Sequence, residues 1–402
     1  MRVALVVEAA HQVGGVFQHI LNTVQDLKFL SGHEVIVLTP LRANLERPRS
    51  EGVSCYLYKF GVVRRSLTRA TVRSSFLRRL MFALPLSLQR LCGDFDVELR
   101  AHHIDLTFFF HSSLPLYVHS SAYVAIVYDL CHRDRPEFPE MSLQFEARER
   151  AFSTTLARAV AVIVSSPILA QGVCRYYGVT ESRVFVLPFT PALHSRGRAT
   201  QEQIAHVREK YGLRRDYVFY PAQFWAHKNH VYLLQGIKAL EKIAGVQMHA
   251  ALSGSDFGNK HRVQSEADRL GLHEQIHFLG FVADEDMAAL YSGARALVMP
   301  TYFGPTNMPP LEAIAVGCPV IYSDLPEFRQ DLGEAALYCN LRDPVSLAEQ
   351  LNLLLTRADI VEDLARAGRQ LLSNSISTRQ IDSLRGLLDD FDYTRQRWMS
   401  AG

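Results

Sequence analysis

The densest concentration of reactive residue types lies between Met299 and Ala313, where Thr301, Gly304, Pro305, Thr306, Asn307 and Met308 lead into Pro309-Pro310-Leu311-Glu312. A polar Gly/Pro/Thr/Asn loop that enters a helix at proline leaves the first helical N–H groups unpaired and open to an anion. Glu312 falls in the first turn of that helix. A carboxylate there can accept both hydroxyls of a ribose, or it can simply complement the helix dipole. A second such stretch runs from Tyr220 to His230, with Gln223, Trp225, His227, Lys228 and Asn229 between them. Lys228 adds a cation at the start of the following helix, which suits a phosphate. His227 and His230 are spaced as metal ligands can be, but no third ligand of matching type is nearby, so no metal is expected. Trp225 reads as packing.

Two further places carry possible chemistry. Gly14 and Gly15 stand between a strand-like run and a helical one, where glycine lets the backbone approach a ligand. A tight turn would use the same pair. The stretch is not G-x-G-x-x-G and no ribose-binding acid follows the second strand, which argues against a dinucleotide. Asp129 and His132, three apart just beyond a buried run, could hold a hydroxyl nucleophile and share its proton. Asp129 capping a turn is the alternative.

The elements that must position these residues form a repeated pattern. Arg2–Glu8 reads as a strand, Val16 to Leu30 recur at helical spacing, and Glu34–Leu38 reads as the next strand. Buried runs follow at Ile104–Phe110, Tyr123–Tyr128, Val160–Val164 and Val184–Leu187. After a Pro- and Gly-bearing connection the pattern restarts, with strands at Tyr217–Tyr220, Gln247–Leu252, Ile276–Leu279, Ala296–Met299 and Val320–Tyr322. Between these strands lie helices at His230–Ile243, Arg262–Leu270, Asp284–Ser292 and Pro309–Val316. Short apolar runs alternating with helices predict α/β architecture with parallel sheets covered on both faces. The expectation is two Rossmann-like domains facing a cleft. The first spans residues 1–193, a linker 194–212, and the second 213–377, with a helix at 378–402 crossing back to the first.

Composition agrees. The chain has 402 residues, 48% of them hydrophobic, and a formal net charge of +2, proportions that exclude a disordered or collagen-like chain. No apolar run is long enough to span a membrane, and no signal-peptide pattern opens the chain. Six scattered cysteines without a C-x-x-C pair suit a reducing compartment, so a cytoplasmic location is expected.

Taken together these motifs resemble the retaining glycosyltransferases of family four, which have the two-domain GT-B fold. The resemblance is diffuse at Gly14-Gly15 and Gly32-His33-Glu34-Val35. It is dense from Tyr220 to about Leu355: Ser253-Gly254, Phe278-Leu279-Gly280-Phe281-Val282, Leu290-Tyr291, Pro309 to Ala313 and Gly317 to Val320 stand where the family has them. It implies transfer of a sugar from a nucleotide diphosphate-sugar, with retention and without a metal or other cofactor. On that resemblance Lys228 would neutralise the donor diphosphate, joined by Gln223, Asn229 and Gly254. Glu312 would hold the ribose, Phe281 would border the base, and Thr306, Asn307 and Met308 would cradle phosphate and sugar. Asp129 and His132 would face the acceptor, His132 standing in for a family histidine whose place Tyr128 takes. Gly304 and Gln223 replace a family glutamate and arginine. The loop from Phe303 to Asn307 resembles that of a bacterial polysaccharide branch.

The resemblance thus implies a hexose or deoxyhexose transferase in surface polysaccharide or lipopolysaccharide synthesis, with GDP-mannose favoured over a UDP-sugar and a glycan or lipid-linked acceptor. A nucleotide-sugar-binding subunit without catalysis and a sugar-nucleotide epimerase of the same fold remain as alternatives. The neutral total hides an asymmetry. From Gly52 to Gly93 there are eight basic residues and no acid, while the rest of the chain is net acidic. In residues 62–91 arginines interleave with Leu77, Leu80, Met81, Phe82 and other apolar residues. Such a segment can dock on an anionic membrane surface, or pack as an ordinary amphipathic helix. Nucleic acid is not expected as a partner, because aromatic interleaving is sparse.

Overall fold

The computed structural model describes residues 1–8, 15–28, 32–45, 52–58, 95–111, 114–118, 120–188, 197–304, 308–375 and 378–399. By internal contacts the chain divides into two units. One comprises Met1–Arg133, Leu143–Pro188 and Ser377–Gly402, the other Asp134–Ser142 and Phe189–Ile376.

The first unit is a parallel sheet of β1 (Arg2–Val6), β2 (Glu34–Thr39), β3 (Ser54–Leu57), β4 (Leu106–Phe109), β5 (Tyr123–Val127), β6 (Ala161–Val164) and β7 (Val184–Val186). Its spatial order is β3-β2-β1-β4-β5-β6-β7. Val3, Leu5 and Val7 enter one apolar cluster while Ala4 and Val6 enter another. Both faces are therefore covered, which explains why the strands read as unbroken apolar runs rather than alternating ones. The helix Thr378–Met399 contributes Leu384, Leu387 and Leu388 to the cluster of Val3 and Leu5, and Arg395 Nη1 donates to Asp105 Oδ1 at 2.7 Å.

The second unit holds β8 (Tyr217–Pro221), β9 (His249–Ser253), β10 (Ile276–Gly280), β11 (Ala296–Met299), β12 (Val320–Ser323) and β13 (Leu337–Cys339), in the order β10-β9-β8-β11-β12-β13. All pairs are parallel, for example Val218 opposite Ala296 across β8 and β11. The segment expected as a linker contains a helix, Gln201–Lys210, built into this unit. Thr200 and Gln203 form a reciprocal capping box at its start, Ile204 and Val207 are buried, and Lys210 and Tyr211 both bond Asp286.

The sequence pattern did not reveal β3 and β13. These are edge strands, Ser54–Leu57 and Leu337–Cys339, whose mixed residues form no branched apolar run like that of Val184–Val186. The helices Pro139–Thr155, Pro344–Thr356 and Ala358–Ser375 were likewise unread. The basic stretch 62–91 lies outside the described residues.

Each sheet has one place where the strand order reverses: between β1 and β4 in the first unit, between β8 and β11 in the second. Loops on the two sides of such a point diverge to opposite faces of the sheet, leaving a crevice at the carboxyl ends of the strands.

Candidate functional site

In the second unit the loops leaving β8 and β11 carry most of the residues singled out above. The β8 loop passes through Gln223 to a short 3-10 turn, Ala226–Lys228, and enters the helix His230–Ala244. The β11 loop runs from Thr301 to Gly304 and resumes at Met308, ahead of the helix Pro309–Val316. Backbone bonds join the two. The His227 carbonyl accepts from Tyr302 N–H at 2.9 Å, and the His227 ring lies flat on Phe303 with centroids 4.0 Å apart. Tyr220 Oη donates to the Lys228 carbonyl at 2.8 Å. Lys228 is thereby placed on a braced turn at a helix start.

Asn229 sits in the left-handed region at φ 55°, a conformation asparagine tolerates better than most residues. It gives the helix His230–Ala244 no side-chain cap, so the dipole end of that helix is left to other partners. His230 is wholly buried, its ring 4.5 Å from Phe224 and 4.7 Å from Tyr220. Burial, with Lys228 next, pulls its pKa down to about 3, so it is a neutral core residue. The helix Pro309–Val316 is a poorer anion site than its sequence promised. Pro309 and Pro310 occupy its first two positions and have no N–H, and the Glu312 N–H goes to the Met308 carbonyl at 3.0 Å.

Glu312 is 6% exposed, and its Oε2 accepts from Tyr291 Oη at 2.7 Å. Burial lifts its pKa to about 7, against the Tyr291 hydrogen bond and with some help from Asp284. A buried acid in this state can accept or donate toward a diol. The β9 and β10 loops lie on the far side of β8 in the sheet order. Gln223 Oε1 accepts from Ser255 N–H at 2.6 Å, so this side chain staples two loops. Gly254, at φ 145°, lies so close to the β8 loop that a Cβ would stand 2.4 Å from the Ala222 oxygen. Phe281, just after β10, is 61% exposed. Met308 is buried, so only its backbone could face a ligand. Thr306, Asn307 and Gly14 lie outside the described residues, and Gly15 begins the helix Gly15–Lys28.

In the first unit Asp129 and His132 have separate partners. Arg148 Nη2 donates to Asp129 Oδ1 at 2.7 Å and Cys131 N–H donates at 2.9 Å. Burial pushes the Asp129 pKa up, but these bonds outweigh it and hold the carboxyl below its usual range. His132 is fully buried between Phe145 and Phe152, with Nε2 3.1 Å from Tyr177 Oη and 3.4 Å from Glu149. Burial, then Arg148, lowers its pKa to about 4. The short helical turn Cys131–Asp134 directs this ring inward, which corrects the expectation of an acceptor-facing histidine. One histidine beside the reversal point is His19, whose ring meets Phe110 beyond β4 and Tyr128 beyond β5 edge-on, at 5.8 and 5.9 Å.

Sequence reasoning also missed Glu140. It is 6% exposed, and its Oε1 lies 2.5 Å from His227 Nδ1 and accepts from His227 N–H at 3.0 Å. Its only signal was its place in an acid- and proline-rich run after Arg133. Among the described residues no group of three or more His, Cys, Asp or Glu is arranged to hold a metal ion, and no helix is long and apolar enough to cross a membrane.

Comparison with known proteins follows this division of the chain. Residues 203–371 match the family model for glycosyl transferases group 1, and residues 13–189 match that for Glycosyltransferase Family 4, which together take in most of the chain. Mannosylfructose-phosphate synthase of Agrobacterium fabrum is 24% identical over 173 residues, 40% of this chain and 37% of that protein. O-antigen chain mannosyltransferase B of Escherichia coli is 25% identical over 196 residues, 48% of this chain and 51% of that protein. The matched part is thus about half of these relatives' length or less. The crystal structure of Anabaena Alr3699/HepE in complex with UDP-glucose superposes with a TM-score of 0.69 at 15% identity, covering 99% of this chain and 100% of that one. The two parallel sheets are those of the GT-B fold.

Proposed function

Because this chain belongs to the group 1 and family 4 glycosyltransferases, we propose that it transfers a hexose or deoxyhexose from a nucleotide diphosphate-sugar to a glycan or lipid-linked acceptor, with retention. One observation carries the reading. The second sheet's reversal point presents Lys228 at a helix start, and the helix following the other loop there carries a buried carboxylate, Glu312, held by Tyr291. A cation with a helix dipole suits a diphosphate, and a buried acid suits a ribose diol. In this reading Lys228 and the start of the helix His230–Ala244 take the diphosphate, Glu312 the ribose and Phe281 the base side. The loop from Gly304 to Met308 adds donor contacts. Asp129 stays on the acceptor side as an ionised group.

The bond from the sugar C1 to the diphosphate oxygen breaks as the acceptor oxygen bonds C1 on the same face. The acceptor's proton passes to the departing diphosphate, so no enzyme nucleophile is consumed. The work left to the protein is electrostatic stabilisation of the developing phosphate charge, which falls to Lys228. Kinship with an O-antigen mannosyltransferase supports a GDP-mannose donor and a place in surface polysaccharide synthesis. The complex of HepE with UDP-glucose supports UDP-sugars as the next choice. The eight basic residues of 52–93 support attachment to an anionic inner membrane face, where a lipid-linked acceptor would be met.

A thermal-shift panel of GDP, UDP, dTDP and ADP tests the donor class, followed by nucleotide release from the matching sugar donor with glycan or lipid-linked acceptor. Stabilisation by GDP and acceptor-dependent release of GDP are expected. No response to any nucleoside diphosphate would overturn the reading. Binding without transfer would instead favour a non-catalytic sugar-nucleotide subunit, a reading supported by Gly304 and by the engagement of Gln223 with Ser255.

A further inference from the structure

The backbone N–H, the carbonyl and the ring Nδ1 of His227 are all engaged, and the partners come from two distant parts of the chain. Its backbone N–H and its ring Nδ1 both meet Glu140 Oε1, at 3.0 and 2.5 Å. Its carbonyl accepts from Tyr302 N–H at 2.9 Å, with Thr301 Oγ1 3.2 Å away, and its ring is stacked on Phe303. Glu140 belongs to Asp134–Ser142, which clusters with the second unit although it precedes β6 in the chain. From the same segment Phe138 sets its ring against Tyr302 and Phe303, at 5.3 and 5.4 Å. The segment therefore grips both the turn that presents Lys228 and the loop that leads to Gly304.

We infer that Glu140 is a positioning residue for the donor site, acting through His227 to hold the Lys228 turn and the Thr301–Gly304 loop in one arrangement. The inference rests on the donor reading given above. The carboxylate suits the task because one oxygen takes both His227 donors, which leaves the peptide and the ring a single mutual orientation. Short contact to a carboxylate assigns the ring proton to Nδ1. Burial opposes ionisation of Glu140, but the His227 bonds overcome it and keep its pKa below the usual carboxylate range. The adjoining residue, Lys228, is half-buried, and its backbone is placed by the turn. Loss of Glu140 would strand two buried donors and release the turn.

The test measures GDP and UDP affinity by calorimetry for wild type, Glu140→Ala, Glu140→Gln, Lys228→Ala and the double variant Glu140→Ala/Lys228→Ala. Glu140→Ala is expected to weaken binding at least tenfold. Glu140→Gln, which still offers an oxygen to both donors, should restore it to within about threefold of wild type. In the Lys228→Ala background the Glu140→Ala change should add much less than it does in wild type, because the cation presented by the turn is gone and only the Thr301–Gly304 loop is left to place. A purely structural role would instead give effects that multiply, and that result overturns the inference. So does wild-type affinity in Glu140→Ala. If Glu140→Ala does not fold, Glu140→Asp draws the carboxylate back by one methylene. Its expected loss is several-fold, and unchanged affinity is the overturning result. Absence of GDP and UDP binding in wild type would instead refute the donor reading itself.

Discussion

Tyr291 donates a 2.7 Å hydrogen bond to Glu312 Oε2, joining the helix Asp284–Gly293 to the helix Pro309–Val316. Both side chains are buried, the tyrosine completely. The bond leaves Glu312 with one more oxygen to offer while burial keeps its acidity weak, with a pKa near 7. An acid held in that range changes charge within the physiological window.

Ligand affinity should therefore depend on pH through Glu312. If the ionised carboxylate receives the ribose hydroxyls, its population rises about tenfold from pH 6 to pH 8 for a pKa of about 7. GDP affinity, measured by calorimetry across that range, should rise by a similar factor beyond any change in Glu312→Gln. Identical profiles for the two proteins would contradict the ribose assignment.

Stability should move the opposite way. Below the unfolded pKa both states hold the proton, and above about pH 7 both have lost it, so the cost of a buried charge grows between those limits. Wild type should lose about 2–3 kcal/mol relative to Glu312→Gln between pH 5 and pH 8. Urea unfolding at the two pH values reads this directly, and a constant difference would refute it.

Lys228→Ala should lower kcat by about 10²–10³, the usual consequence of removing one preorganised group at a developing charge. Its effect on melting temperature should be small. Nucleotide release under saturating donor is the measurement, and unaltered turnover would remove Lys228 from the mechanism.

Gly254→Ala tests the packing that brings the β8 and β9 loops together. The new Cβ would meet the Ala222 oxygen at 2.4 Å, in a backbone conformation L-residues avoid. Destabilisation of about 2–4 kcal/mol is expected from strain and overpacking together, visible as a lower denaturation midpoint. A neutral result would mean that the β8 and β9 loops can separate without cost.

Phe281→Ala separates binding from folding. With 61% of its surface exposed, the side chain should contribute under about 0.5 kcal/mol to stability. Nucleotide affinity should nonetheless drop several-fold if the ring borders the base, since stacked aromatics contribute about 1–3 kcal/mol per base. Calorimetry with GDP and with UDP reads the effect, and equal affinity in both proteins would place the base elsewhere.

Much of this architecture was legible in the chain because buried parallel strands must be apolar on both faces. Val124 to Val127 or Ala296 to Met299 can be little else. Helix ends were legible where glycine or proline marks them, as at Pro309 and Gly317. Two of the four edge strands were not, since Ser54–Leu57 and Leu337–Cys339 lack the run of branched apolar residues that marks the equally short Val184–Val186. Nor was the membership of the helix Gln201–Lys210, whose polar outer face looks like a connection while Ile204 and Val207 are buried.

For the site, the sequence by itself determined which residues stand at strand ends: Gln223 and Lys228 after β8, Gly254 after β9, Phe281 after β10, and Glu312 in the first turn of a helix. Local order is enough for that, because a strand followed by a loop and a helix places its last residues at the carboxyl edge whatever the rest of the chain does. Only the tertiary structure decided their partners. It gave Tyr291 to Glu312, Ser255 to Gln223 and Glu140 to His227, and it turned His132 into the core while bringing His19 to the reversal of the first sheet. The hydrogen-bonded pairs among these join residues up to 87 positions apart. Which of them meet depends on the order of strands across each sheet, and that order is selected by the packing of both faces at once rather than by any short stretch of sequence.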